Sequence, residues 1–166
     1  PVQLAKENKK FQYTVVRHGG SAAMFGESLE WLMQSGTILR CDKVGHALMP
    51  LAAYVDMSDF KVYMSDIGLL TLRSGIAHQT IMSVDADNTF MGGLTENYVA
   101  QALATSGIRL YYWKNDNTAE VDFVMQDGPD IIPIEVKKGR HTKSVSMSEL
   151  MRAAQSPYGI RLSLKN

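Results

Sequence analysis

Residues 120–137 read EVDFVMQDGPDIIPIEVK. Two apolar runs flank the turn-forming cluster Asp127, Gly128, Pro129 and Asp130. Glu120 to Met125 and Ile131 to Lys137 are rich in β-formers, so the stretch predicts two strands closed as an antiparallel hairpin. Strand alternation puts Glu135 and Lys137 on one face. Asp122 and Glu135 stand equally far from the Gly128-Pro129 centre. A hairpin folded there sets them opposite each other, with Cβ atoms roughly 5 Å apart.

Working outward, Arg109 to Trp113 is an aromatic-rich strand, and Asn115-Asp116-Asn117 is the turn that joins it to the hairpin. Leu94 to Ala104 has helical spacing, with Leu94, Tyr98 and Ala102 beside Val99 and Leu103 as its apolar stripe. Gly92-Gly93 precede this helix and Gly107 ends it. Downstream, 148–155 reads as a helix and 160–163 as a short strand. Residues 74–91 read as a loop with a short helix. Upstream, Ser21 is the expected N-cap of a helix over 22–35, which stops at Gly36. Strands follow at 37–41 and 60–64, separated by a turn-rich stretch with Gly45 and Pro50, and Asp66 caps a short helix carrying Leu69, Leu70 and Leu72. The expected class is α/β (or α+β). Helix, strand, loop and strand is the order of the second half of a winged-helix unit. The chain is therefore divided into a partial winged-helix-like region at 1–65 and a second domain at 66–166.

Composition sets limits on function. Of 166 residues, 45% are hydrophobic and 20% charged, which excludes a disordered chain or a coiled coil. Seventeen Lys and Arg balance seventeen Asp and Glu, so any contact with nucleic acid needs a local basic patch rather than a global field. The lone Cys41 excludes an intrachain disulfide and a Cys-rich zinc site, and it reads as a small buried hydrophobe. No apolar run is long enough for a membrane span and no signal peptide is seen, so a cytoplasmic protein without membrane contact is expected. A start at Pro1 suggests a piece of a longer protein.

The residues with chemical promise are Glu96, Asp122, Glu135 and Lys137. Asp122 interrupts the apolar run Val121-Asp122-Phe123-Val124, where a charge is costly unless paired or metal-bound. Carboxylates hold Mg²⁺ through hard oxygen ligands, and the cation polarises a phosphate and lowers the pKa of a bound water. Asp122 and Glu135 would hold the ion with Glu96 completing its shell, while Lys137 orients the nucleophile or offsets charge on the phosphate. The plainer alternative is that Glu135 and Lys137 are solvent-facing at a strand end and that Asp122 pairs with a lysine. A bare Glu-x-Lys is uninformative, since the chain repeats it at Glu7-Asn8-Lys9. Lys137, Lys138, Arg140 and Lys143 form a basic stretch that either grips a nucleic-acid backbone or is a solvated loop. The helix at 22–35 stands where a recognition helix would, but Glu27 and Glu30 repel phosphate, which favours a scaffolding or inter-domain role. Tyr111, Tyr112 and Trp113 could stack on bases, although aromatic strands usually form core. The histidines at 18, 46, 78 and 141 lack metal spacing.

A family resemblance adds to this reading. FKVYMSDIGLL at 60–70, LTENYVA at 94–100, LYYW at 110–113, AEVDFV at 119–124, PIEVKKG at 133–139 and GIRLS at 159–163 resemble, in order, the blocks of a bacterial and archaeal domain of unknown function. That domain follows an AAA-type ATPase domain in full-length family members. The resemblance implies a winged-helix portion over 21–64 and a PD-(D/E)XK nuclease-like central sheet flanked by helices. Glu96 then matches the helix carboxylate, Asp122 the central Asp, and Glu135 and Lys137 the Glu-x-Lys pair. It implies Mg²⁺, or Mn²⁺ in its place, as cofactor, DNA or RNA as partner, and an ATPase domain in cis. ATP would enter only through that domain, because no Gly-x-x-x-x-Gly-Lys-Ser/Thr occurs here. The resemblance also implies a last strand beyond Asn166. The alternative within the same resemblance is a catalytically silent module that binds DNA or protein for the ATPase.

Overall fold

The two hairpin strands are built from β-formers on either side of a Gly-Pro turn. A computed structural model describes residues 10–75, 89–115, 119–137 and 144–163. The elements are α1 (Tyr13–Val16), α2 (Ala22–Gln34), β1 (Ile38–Val44), a 3₁₀ turn (Leu51–Tyr54), β2 (Val55–Met64), α3 (Ile67–Ser74), α4 (Thr89–Thr105), β3 (Tyr111–Lys114), β4 (Glu120–Asp127), β5 (Asp130–Lys137), α5 (Val145–Ala154) and β6 (Ile160–Ser163). The six strands form one mixed sheet in the order β2-β1-β3-β4-β5-β6, with helices flanking it, which is the expected α+β class. β3, β4 and β5 are antiparallel neighbours, while β1 pairs with β3 and β6 with β5 in parallel.

The chain divides into two compact units. One comprises the described residues of Pro1–Arg40 and Lys61–Ala102, and the other those of Cys41–Phe60 and Leu103–Asn166. In the second unit the core gathers Val44, Leu51, Tyr111, Trp113, Val121, Val124, Ile131 and Leu150. Tyr111, Tyr112 and Trp113 are all buried, so they serve as core rather than as stacking platforms. The hairpin closes through Gly128-Pro129 alone, with Asp127 paired to Asp130. Gly128 has φ +56°, the left-handed conformation that a primed two-residue loop demands and that glycine adopts without strain.

In the first unit, α2 ends as expected at Gly36, whose φ is +70° and whose N–H donates to Met33 while that of Thr37 donates to Leu32. Asp66 caps α3 by accepting from the Leu69 N–H at 2.6 Å. Ser21 sits at the N-cap of α2, but its side chain makes no capping bond.

Several local expectations need correction. β2 begins at Val55, not at Phe60, because Asp56 and Asp59 on this stretch are taken up by Lys43 of β1. α4 begins at Thr89 and runs through Gly92 and Gly93; each glycine costs a helix about 1 kcal/mol, and packing overrides this. The buried face of α4 keeps Leu94 and Val99 of the apolar stripe but not all of it. Tyr98 is 55% exposed and Ala102 is exposed, whereas Gly93, Asn97 and Ala100, outside the stripe, are buried. The cause is Asn97. Its side-chain amide donates to the Met64 carbonyl at 2.9 Å and accepts from the Met64 N–H at 2.8 Å, completing the end of β2. A polar residue therefore leads the buried face, which an apolar periodicity cannot register.

Candidate metal centre on the hairpin

The β4–β5 ladder runs from Asp127↔Asp130 to Phe123↔Ile134, and Asp122 and Glu135 are the residues that follow directly after its last pair on the two strands. Directly opposed residues of an antiparallel pair share a face. Here the carboxylate of Asp122 takes the place of a backbone acceptor: its Oδ2 accepts from the Val136 N–H at 2.8 Å. β5 lies between β4 and β6, which buries Glu135 to 5% side-chain exposure. Lys137, two residues on and on the same face, places Nζ 2.6 Å from Glu135 Oε1. Glu135 Oε2 is buried with no hydrogen-bond partner among the described residues. A buried carboxylate oxygen left unbonded is costly, and hard oxygen donors of this kind suit Mg²⁺ or Mn²⁺.

The structure thus brings Asp122, Glu135 and Lys137 together on one hairpin. Of the plainer sequence alternative, a solvent-facing Glu135 does not hold, since Glu135 is buried. Glu96 belongs to the first unit. Its Oε1 accepts from the Tyr63 hydroxyl at 2.5 Å and lies 3.3 Å from Lys61 Nζ. Lys61 is 1% exposed, and this ion pair is what makes its burial tolerable. Among the described residues no group of three or more His, Cys, Asp or Glu side chains is arranged to hold a metal ion. Of the predicted nucleic-acid residues, Lys137 is described, while Lys138, Arg140 and Lys143 lie outside the described residues.

Sequence reasoning missed three participants. Lys61 and Tyr63 alternate correctly on β2, but nothing in a strand pattern says that the lysine is buried. Arg161 is the register partner of Glu135 on β6 and so shares its face. The parallel pairing that brings it there is not visible in the four residues of that strand.

A second polar cluster in the same unit is structural. The Tyr112 hydroxyl donates to Asp59 Oδ1 at 2.6 Å, and Lys43 bridges Asp56 and Asp59 at 3.3 and 3.8 Å. Burial, reinforced by the bond to Asp59, pushes the Tyr112 phenol well above its ordinary value. The Ser58 hydroxyl and N–H, both donating to Asp56, hold that carboxyl below its ordinary range. Asp42 is paired with Arg109 at 3.3 Å, and the Arg109 guanidinium lies 5.2 Å from the Tyr111 ring centroid.

In the first unit an apolar groove of about 780 Å³ is lined by Phe25, Leu29, Leu32, Val62 and Leu72 among others, with Arg73 as its charged member. Trp31, at 68% exposure, stands on α2 nearby in sequence. Exposed apolar surface on and around α2 is what an inter-domain role requires.

Residues 91–165 match the family model of a domain of unknown function (DUF4143), and residues 2–80 match that of another domain of unknown function (DUF8612). Each match covers less than half of the chain. Glu96, Asp122, Glu135 and Lys137 all fall within the first of them. No curated protein and no solved structure matches the chain significantly. No described helix is long and apolar enough to cross a membrane.

Proposed function

We propose that this chain carries the nucleic-acid-associated module of an AAA-type ATPase, with a divalent-metal phosphodiesterase centre of PD-(D/E)XK type on its β4–β5 hairpin. The observation that supports this most is the buried Oε2 of Glu135, without a partner among the described residues and one position past the last pair of the β4–β5 ladder, as Asp122 is on the other strand. The donor set fits a hard cation: Asp122 and Glu135 would hold Mg²⁺ or Mn²⁺, and the ion would supply Lewis-acid polarisation of a phosphate and an activated water. The remaining work falls to the chain itself. The Val136 N–H orients the Asp122 carboxylate, and the β5–β6 pairing fixes Glu135. Lys137 and Arg161 supply cations on the face where a phosphate would lie. Glu96 enters as the third carboxylate to be tested by substitution. The winged-helix reading of the first sixty-odd residues, and DNA or RNA as substrate, belong to the same proposal.

Cleavage of single- and double-stranded DNA and RNA with Mn²⁺ or Mg²⁺ tests it. The expected result is metal-dependent cleavage that Glu135→Gln and Lys137→Ala abolish and Glu96→Gln weakens. Cleavage that survives Glu135→Gln, or none on any substrate, counts against the reading.

The second reading is a catalytically silent module that recruits DNA or a partner for the ATPase domain in cis. The apolar groove of the first unit favours it. Binding of DNA in EDTA without any cleavage in Mn²⁺ would select it.

A further inference from the structure

Lys137 stands against the very carboxylate that the proposed chemistry gives to a divalent ion. Its Nζ lies 2.6 Å from Glu135 Oε1, in direct contact with a carboxylate assigned to a cation. The other oxygen of that carboxylate is buried and has no hydrogen-bond partner among the described residues. Asp122 is engaged through Oδ2 with the Val136 N–H. An ammonium and a divalent ion on the same carboxylate repel each other, so both cannot hold Glu135 closely. The two also differ in freedom. Glu135 is fixed on an inner strand at 5% exposure, whereas the Lys137 side chain is 35% exposed on a flexible stem with a route to solvent.

We propose that Lys137 is a built-in counter-cation that the divalent ion displaces, so that loading of the metal and release of the lysine are one event. The inference rests on the reading of Asp122 and Glu135 as the metal pair. With the ion absent, the ammonium keeps a buried carboxylate from standing uncompensated. With the ion bound, the ammonium is set free beside it, on the face that Arg161 also borders. Lys137 then serves two ends with opposite signs: it weakens metal binding and it assists the phosphate chemistry. A lysine with a purely structural role would not give that pairing of effects.

The test is titration of Mn²⁺ into the full chain, followed by the spectroscopic signal of free Mn²⁺. Lys137→Met, Lys114→Met and Glu135→Gln are compared with the wild type. Lys114 is ion-paired to Glu120 at 3.2 Å and is similarly exposed, so its variant makes the same change in net charge away from Glu135. Lys137→Met is expected to bind Mn²⁺ at least about tenfold more tightly, Lys114→Met to stay within about twofold, and Glu135→Gln to lose the site. If the wild type binds and Lys137→Met binds equally or more weakly, the displacement is wrong and the metal pair stands. Equal tightening in Lys114→Met would reduce the effect to general charge and overturn the proposal. Absence of saturable binding in both wild type and Lys137→Met would overturn the metal pair itself.

Discussion

At the scale of residues, buried charge defines what each side chain can do. Lys61 is all but sealed and depends on Glu96. Glu96→Gln should cost about 3–5 kcal/mol, because it takes the carboxylate away from a buried ammonium, while Lys61→Met with Glu96→Gln together should cost well under the sum of the two single changes. Urea unfolding of the four chains of that cycle measures it. Glu135 behaves differently. Its second oxygen is already unsatisfied and its partner Lys137 can turn to solvent, so Glu135→Gln should leave stability in EDTA unchanged within about 1 kcal/mol or raise it. A loss of several kcal/mol would assign Glu135 a structural task. Tyr112 gives the pH dependence. Its folded pKa is raised, so its contribution is complete below about pH 10, the unfolded value, and is lost as the pH climbs from there toward the folded value. Tyr112 should contribute a fall of about 1.4 kcal/mol per pH unit in that range, and Tyr112→Phe should remove this share of the slope, leaving that of Tyr111, whose phenol burial also raises, while costing about 1–3 kcal/mol at neutral pH through Asp59. Denaturant midpoints from pH 8 to 11 read both effects. Asp122 and Glu135 were legible because a two-residue loop leaves one register, and counting outward from it needs no tertiary knowledge. Lys61 was not, because burial of a strand lysine depends on what packs over it.

At the scale of elements, glycines mark where the backbone has no alternative. Gly128 opens the hairpin loop at φ +56°, so Gly128→Ala should cost about 1 kcal/mol and loosen the register that sets Asp122 opposite Glu135. A Cβ at Gly20 would lie 2.5 Å from the Tyr13 carbonyl oxygen and 2.9 Å from that of Arg17, both backbone atoms that cannot step aside. Gly20→Ala should therefore disrupt the junction of α1 and α2 at a cost of about 1–3 kcal/mol, seen as a lowered denaturant midpoint. The contrast between α2 and α4 shows what patterning conveys. α2 carries its stop signal in Gly36 and was read to within a residue. α4 contains two glycines and buries an asparagine, so its start and part of its facing were misread, for reasons of packing rather than propensity.

At the scale of the whole molecule, the hairpin site lies within one of two compact units, and both metal-pair residues belong to it. Ligand that binds only the folded state stabilises by mass action, about 2.7 kcal/mol at a hundred times Kd. Saturating Mn²⁺ should raise the melting temperature by about 5–10 °C, and the rise should vanish in Asp122→Asn. The sheet class and strand order around the hairpin follow from short connections and turn chemistry. The partition into units does not, because β1, β2 and α4 each run through both. The most direct measurement of the central claim is calorimetric titration of Mn²⁺ into the wild type, Asp122→Asn and Glu135→Gln. The account predicts one saturable site per chain in the wild type and none in either variant. Saturable binding that persists in both variants, or is absent from the wild type, would contradict it.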